Sequence, residues 1–92
     1  MRPGTRILLV EDDRSIAGFV EPELERVGFL VQCAYDGVTG LEEAGRFGPA
    51  LIVLDIMLPG LDGVGVLKRL REGGNGVPVI MLTARDTTLD KV

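Results

Sequence analysis

Short apolar runs alternate with amphipathic stretches along this chain. Three of the runs, residues 7–10, 51–54 and 79–82, are continuous and rich in valine, isoleucine and leucine. Such runs are typical of strands that are covered on both faces in a parallel sheet. A weaker run over residues 30–34 is interrupted by Gln32, which indicates a strand nearer an edge. If the stretches between them are helices on right-handed crossovers, the order predicts an α/β fold with a doubly wound parallel sheet.

The first predicted helix carries boundary signals at both ends and a helix breaker in its interior. Asp13 or Ser15 is a suitable N-cap, and Gly28 suits the C′ position, where a left-handed backbone is needed. Pro22 removes one backbone hydrogen bond, so we expect a kink near residues 18–21 or a helix broken in two. Helical spacing predicts a buried stripe made of Ile16, Phe19, Val20, Leu24 and Val27.

Two further helices are predicted over residues 37–47 and 63–72. Gly40 and Gly45 give the second helix a low intrinsic propensity, so its stability must come from packing. Residues 86–87 offer a cap for the beginning of a fourth helix.

Composition narrows the possible functions. The chain has 92 residues, of which 46% are hydrophobic and 26% charged, and this suits one small globular core. A single cysteine, Cys33, and no histidine exclude an internal disulfide framework, a Cys/His zinc site and a Ser-His-Asp triad. The net charge of −4 disfavours a nucleic-acid surface. No apolar run approaches the roughly 20 residues of a membrane span, and no signal peptide is recognisable, so we expect a cytoplasmic domain without membrane contact.

Acidic and hydroxyl side chains follow the strongest strands. Glu11 and Asp12 come after the first strand, Asp55 ends the third, and Thr83 and Ala84 follow the fourth. The carboxyl ends of parallel strands meet at one edge of the sheet, so these residues should lie together. Carboxylates that meet there repel one another unless a cation lies among them, and oxygen ligands select Mg²⁺ or Mn²⁺. The pattern therefore predicts a Mg²⁺-assisted phosphoryl site with a carboxylate as acceptor.

Three motifs together resemble a known family. They are Glu11-Asp12, the segment Leu-Asp-Ile-Met-Leu-Pro-Gly-Leu-Asp-Gly over residues 54–63, and Met-Leu-Thr-Ala-Arg over residues 81–85. In this order they resemble the receiver domain of two-component response regulators, which is CheY-like. The resemblance covers essentially all 92 residues, and the motifs are most similar to those of the subfamily that carries a winged-helix DNA-binding domain (OmpR/PhoB-like).

The resemblance implies a role for each acidic residue. Asp55 would be the phosphoacceptor, taking the phosphoryl group from the phosphohistidine of a sensor histidine kinase. Glu11 and Asp12 would hold Mg²⁺ together with Asp55 and the backbone carbonyl of Met57, with Mn²⁺ as an alternative ion. The new charge on Asp55 would then bias a two-state surface that controls an output, such as transcription.

The resemblance also implies roles for residues around the acceptor. Thr83 would bind the phosphoryl oxygens and move on activation, with the backbone N–H of Ala84 nearby. Pro59 would shape the loop after the third strand, and Gly63 would permit a close approach of the third helix.

The family fold has five strands in the order 2-1-3-4-5. For this chain we expect the order 2-1-3-4, with the fifth strand, its lysine and the last helix absent, so residues 1–92 would form an incomplete receiver domain. The fourth strand, residues 79–82, would then be an exposed apolar edge, which favours self-association as a dimer or a place in a longer protein. DNA contact would require an output domain that this chain lacks.

Two other α/β classes compete with the receiver. A haloacid-dehalogenase-type phosphatase also uses an aspartate nucleophile and Mg²⁺, but it needs Asp-x-Asp directly after its first strand, where this chain has Glu11-Asp12-Asp13. A nucleotide-binding domain needs a glycine-rich phosphate loop, and neither G-x-G-x-x-G nor the Walker pattern occurs. We therefore expect a signalling phosphoacceptor and not an enzyme.

Overall fold

The computed structural model describes residues 2–82, in which strands and helices alternate as the apolar pattern predicts. The strands are β1 (Arg6–Val10), β2 (Leu30–Ala34), β3 (Leu51–Asp55) and β4 (Val79–Leu82), and the helices are α1 (Arg14–Arg26), α2 (Gly37–Arg46) and α3 (Gly63–Glu72). None of the helices in this part of the chain is long and apolar enough to cross a membrane. The expected caps of a fourth helix lie outside the described residues.

All four strands pair in parallel in the order β2-β1-β3-β4. This confirms the doubly wound sheet and places the interrupted strand β2 at an edge. Val10 lies opposite both Ala34 and Leu54, and Asp55 lies opposite Leu82. The carboxyl ends of β1, β3 and β4 therefore finish at nearly the same level, which brings the residues after them to one edge of the sheet.

The main core lies on the face of the sheet that α2 and α3 cover. It consists of Leu8, Val10, Ala34, Ala44, Ile52, Leu54, Leu58, Val66 and Leu70. Side chains alternate along each strand, so Ile7 and Leu9 are buried on the other face. Strand β1 thus buries both faces, which explains its continuous apolar run in the sequence.

Helix α1 departs from the sequence prediction in two ways. It is one uninterrupted helix from Arg14 to Arg26, so a helix broken in two at Pro22 is wrong. Pro22 removes a single backbone hydrogen bond from α1, and this loss does not interrupt the helix. The predicted stripe is also partly wrong, because Phe19 is 71% exposed and Val27 is 63% exposed.

The ends of the helices follow the predicted signals closely. The Asp13 side chain accepts hydrogen bonds from the backbone N–H groups of Ser15 (2.9 Å) and Ile16 (3.2 Å), which makes Asp13 the N-cap of α1. Gly28 has φ +104°, the left-handed conformation expected after that helix. Helix α3 spans the predicted residues, whereas α2 ends one residue early, with Phe47 as its C-cap.

Candidate functional site

Three carboxylates meet at the carboxyl edge of the sheet. One carboxylate oxygen from each of Glu11, Asp12 and Asp55 lies within 4.8 Å of the others. Glu11 and Asp55 are each 1% exposed, whereas Asp12 is half-buried. The parallel pairing of β1 with β3 causes this meeting, because it aligns the residues that end the two strands. The structure thus brings together the three acidic residues that the sequence singled out.

Backbone N–H groups orient two of these carboxylates. The backbone N–H of Asp13 donates to Glu11 Oε2 at 3.0 Å, and that of Met57 donates to Asp55 Oδ1 at 3.1 Å. Both donors lie two residues after their acceptor, in the tight turns where the chain leaves the sheet. A carboxylate held in this way presents its remaining lone pairs in a fixed direction.

A cavity of about 460 Å³ opens beside the acidic cluster. It is lined by Asp12, Ile56, Met57, Leu58, Pro59 and Asp62. All of these except Asp12 belong to the segment between β3 and α3, so this segment forms the wall of the site. Asp62 also caps α3 by accepting a hydrogen bond from the backbone N–H of Gly65 at 2.8 Å. The place of Asp62 directly before a helix is the sequence signal for this cap.

The acidic cluster fits a small hard cation. Mg²⁺ takes oxygen ligands at about 2.0–2.1 Å, so two ligands on opposite sides of the ion lie about 4.2 Å apart. Separations of up to 4.8 Å match that span after a small adjustment or a bridging water. Carboxylates alone, without imidazole or thiolate, favour Mg²⁺ or Mn²⁺ over zinc.

Five further residues were predicted around Asp55, namely Met57, Pro59, Gly63, Thr83 and Ala84. Gly63 approaches the strand as expected, since a Cβ there would lie 2.4 Å from the backbone oxygen of Asp55. Pro59 lines the cavity, and the Met57 backbone borders the acidic cluster. Thr83 and Ala84 lie outside the described residues.

A parallel sheet in the order 2-1-3-4 with an acidic cluster at its carboxyl edge defines a doubly wound domain of the CheY-like class. The sequence profile of the response regulator receiver domain matches residues 7–92. The chain therefore belongs to the response regulator receiver domain family. This family membership supports a signalling domain rather than a conventional enzyme, and it does not support the haloacid-dehalogenase alternative.

Curated relatives of the chain are transcriptional regulators. The uncharacterized transcriptional regulatory protein YkoG of Bacillus subtilis is 49% identical over 94% of this chain. The alkaline phosphatase synthesis transcriptional regulatory protein PhoP of the same organism is 47% identical over 95% of it. The chain spans only 38% and 36% of these two relatives, so the match concerns one part of each.

Solved receiver domains share the fold. The receiver domain of the Francisella response regulator 1452 superposes with a TM-score of 0.85 at 36% identity, covering 92% of this chain and 70% of that one. The receiver domain of the sensor histidine kinase PA1611 from Pseudomonas aeruginosa PAO1 gives a TM-score of 0.83 at 36% identity, covering 95% and 73%. That structure holds a magnesium ion coordinated in its active site cleft.

Proposed function

We propose that the chain is the phosphoacceptor part of a bacterial two-component response regulator, with residues 1–92 belonging to its receiver domain. Asp55 accepts a phosphoryl group from the phosphohistidine of a sensor histidine kinase. The observation that carries the proposal is the meeting of buried Asp55 with Glu11 and Asp12 beside an open cavity. The magnesium ion in the related receiver domain from Pseudomonas aeruginosa supports it.

The transfer needs positioning and charge neutralisation. An oxygen of Asp55 attacks the phosphorus, an acyl phosphate forms, the P–N bond breaks, and its electron pair stays on the donor imidazole. Glu11, Asp12, Asp55 and the backbone carbonyl of Met57 hold Mg²⁺, with Mn²⁺ as the alternative ion. When bound, the ion supplies positive charge for the phosphoryl oxygens. The backbone N–H of Met57 keeps Asp55 oriented toward the cavity edge.

We assign the phosphoryl-binding role to Thr83 and the backbone N–H of Ala84. The pairing of Asp55 with Leu82 supports this assignment, because Thr83 directly follows Leu82, the residue that lies beside Asp55 in the sheet. The backbone N–H of Ile56 also donates to the Leu82 carbonyl at 3.0 Å, so β4 accompanies β3 to its last residue. The Thr83 hydroxyl then forms a hydrogen bond with the new phosphoryl group, and this bond couples phosphorylation to β4.

The remaining proposals concern partners and location. The relatives are transcriptional regulators, which supports control of transcription through a DNA-binding output domain beyond this chain. The domain works in the cytoplasm, where its histidine kinase presents the phosphohistidine. Two copies of the domain associate through the β4 side of the sheet, where Ile80 is 50% exposed.

Acetyl phosphate tests the acceptor directly. The 92-residue chain is incubated with acetyl phosphate and Mg²⁺, and intact mass spectrometry counts the phosphoryl groups that it gains. We expect one group on the unchanged chain and none on Asp55→Asn. Asp36→Asn is the matched control, because Asp36 is an aspartate that caps α2 away from the acidic cluster, and it should be labelled normally. Equal labelling of Asp55→Asn, or no labelling of the folded unchanged chain, would contradict the proposal.

A further inference from the structure

The segment of residues 56–62, here called the site loop, forms most of the wall of the cavity. It includes Met57, whose carbonyl is proposed to hold the cation. Glu11, Asp12 and Asp55 lie at the ends of sheet strands, whereas the site loop leaves the sheet after Ile56, whose backbone N–H donates to the Leu82 carbonyl at 3.0 Å. Contacts with the helices must therefore fix the position of the residues that follow Ile56.

The first half of the site loop is held against β3 and α3. The backbone N–H of Gly63 donates to the carbonyl of Ile56 at 2.9 Å, and that of Leu58 donates to the same carbonyl at 3.2 Å. The Leu58 side chain is 8% exposed and belongs to the core. This half of the loop is thus tied to the elements that flank it in sequence.

The second half of the site loop rests on α2, which is distant in sequence. Gly37, the first residue of α2, is buried, and a Cβ placed on it would lie 1.9 Å from the carbonyl oxygen of Leu61. Both residues meet at this contact through their backbones, so no side-chain rotation can relieve the overlap. Gly37 is not among the glycines with positive φ, so glycine is needed here for space and not for backbone conformation.

We propose that Gly37 is a positioning residue for the cation site, an inference that rests on the proposed function. Its missing side chain lets the Leu61 carbonyl lie directly on α2, and this contact sets how far the site loop stands from the acidic cluster. A methyl group at residue 37 displaces Leu61 and moves the Met57 carbonyl relative to Glu11 and Asp55. The carboxylates themselves remain on their strands.

Other glycines of α2 offer matched controls. A Cβ at Gly40 would lie 2.9 Å from a methyl group of Val10, so Gly40→Ala strains the core without touching the site loop. A Cβ at Gly45 would meet nothing within 4 Å, so Gly45→Ala changes only helix propensity. The three alanine variants therefore separate loop displacement, core strain and propensity within one helix.

The experiment combines amide chemical shifts with a Mg²⁺ titration of the full 92-residue chain. We expect Gly37→Ala to shift the amides of the site loop, including Met57, without added Mg²⁺. We also expect it to raise the Kd for Mg²⁺ about tenfold. This is the lower end of the loss of metal affinity that follows mutation of the groups that support metal ligands. Gly45→Ala should leave the Met57 amide and the Kd unchanged, and Gly40→Ala, whose Cβ presses on Val10 beside Glu11, should leave the Met57 amide unchanged. If Gly37→Ala is folded and the Met57 amide does not move, the positioning role is wrong.

The amide shifts separate this inference from the proposed function. If the unchanged chain binds no Mg²⁺, the proposed function fails, and the Met57 amide of the ion-free variants still decides the role of Gly37. If Gly37→Ala does not fold, Leu61→Ala takes its place, because Leu61 packs against the core and anchors the same half of the loop. Leu61→Ala should move the Met57 amide in the ion-free protein, and an unmoved amide would overturn the inference.

Discussion

Glu11 and Asp55 are the charged residues that are buried among residues 2–82, and each accepts a hydrogen bond from a nearby backbone N–H. Burying a carboxylate is costly even when it is hydrogen-bonded, and a neighbouring carboxylate adds repulsion. The half-buried Asp12 contributes a third negative charge within 4.8 Å. A cation bound beside the three carboxylates would reduce the repulsion among them.

Mg²⁺ should raise the thermal stability of the chain. A ligand that binds only the folded state adds about 1.4 kcal/mol when its free concentration is ten times its Kd. Asp55→Asn removes one of the three carboxylates, so its melting temperature should rise less on addition of Mg²⁺ than that of the unchanged chain. Differential scanning calorimetry with and without Mg²⁺ measures both effects. Equal Mg²⁺ shifts in the two proteins would contradict the site.

Cys33 should be an unreactive thiol. The pKa of Cys33 is raised to about 12, and burial of the thiol is the largest cause. The hydrogen bond from its Sγ to Glu21 Oε1 (3.3 Å) and the charge of that carboxylate raise it further. Little thiolate is then present at pH 8, and alkylation by iodoacetamide should be slow. Glu21→Gln lowers the pKa and should speed alkylation of the folded protein, by about tenfold for each pKa unit. Alkylation of urea-unfolded samples at equal rates is the control.

The raised pKa of Cys33 also gives stability a pH dependence. In the unfolded chain the thiol ionises with its ordinary pKa of 9.0, whereas the folded thiol keeps its proton up to about pH 12. The contribution of this group is therefore fully present below pH 9 and is lost as pH rises through that window.

Among the elements, α1 shows best what a sequence can and cannot predict. Its N-cap Asp13 and its terminal Gly28 were predictable because each signal depends only on local backbone geometry. The exposure of Phe19 and Val27 was not, because helical spacing predicts a stripe but not how far the sheet extends beneath it. The local rule that proline breaks or kinks a helix did not predict that α1 continues through Pro22 without a break.

Replacing the proline should stabilise α1. Pro22→Ala restores a backbone donor that can reach the carbonyl of Gly18, and it should raise the free energy of unfolding by up to about 3 kcal/mol. Urea unfolding with an unchanged m-value measures this gain. Gly18→Ala is the control for propensity alone and should add about 0.5–1 kcal/mol, because its Cβ meets nothing within 4 Å. A loss of stability in Pro22→Ala would show that the ring makes favourable contacts.

The cap of α2 should make stability sensitive to acid. The side chain of Asp36 accepts hydrogen bonds from the backbone N–H (2.7 Å) and the hydroxyl (3.1 Å) of Thr39, which lower its pKa below the ordinary 3.8. Its stabilising contribution is therefore present above pH 3.8 and is lost as pH falls through the lowered value. Asp36→Asn keeps the cap without the charge. Its free energy of unfolding, measured by urea titration, should therefore decline less than that of the unchanged chain as the pH falls below 3.8. Equal declines in the two proteins would contradict this origin of the acid sensitivity.

At the scale of the whole molecule, the meeting of Glu11 with Asp55 followed from the sequence, because the carboxyl ends of parallel strands share one edge of the sheet. The strand order followed from the resemblance to the receiver family. The contact of Gly37 with Leu61 did not, since it joins two segments whose distance depends on packing. The roles of Thr83 and Ala84 stay predictions.

Self-association should depend on the face of β4 that points away from the main core. Ile80 is 50% exposed there, so Ile80→Lys should shift the sedimentation coefficient toward the monomer value at high protein concentration. Val64 of α3 is 57% exposed, and Val64→Lys controls for the added charge. A chain that sediments as a monomer at every concentration would overturn the proposed association.

The pairing of β1 with β3 also determines when the acidic site can first exist during synthesis. The chain is synthesised from its N-terminus, at about 5–20 residues per second. A nascent chain that ends after α2 already holds Glu11 and Asp12, yet its acidic cluster lacks Asp55, the last residue of β3. The cluster is completed only when β3 inserts beside β1 and adds Asp55. Cation binding by a nascent chain would therefore begin once the third strand has been synthesised.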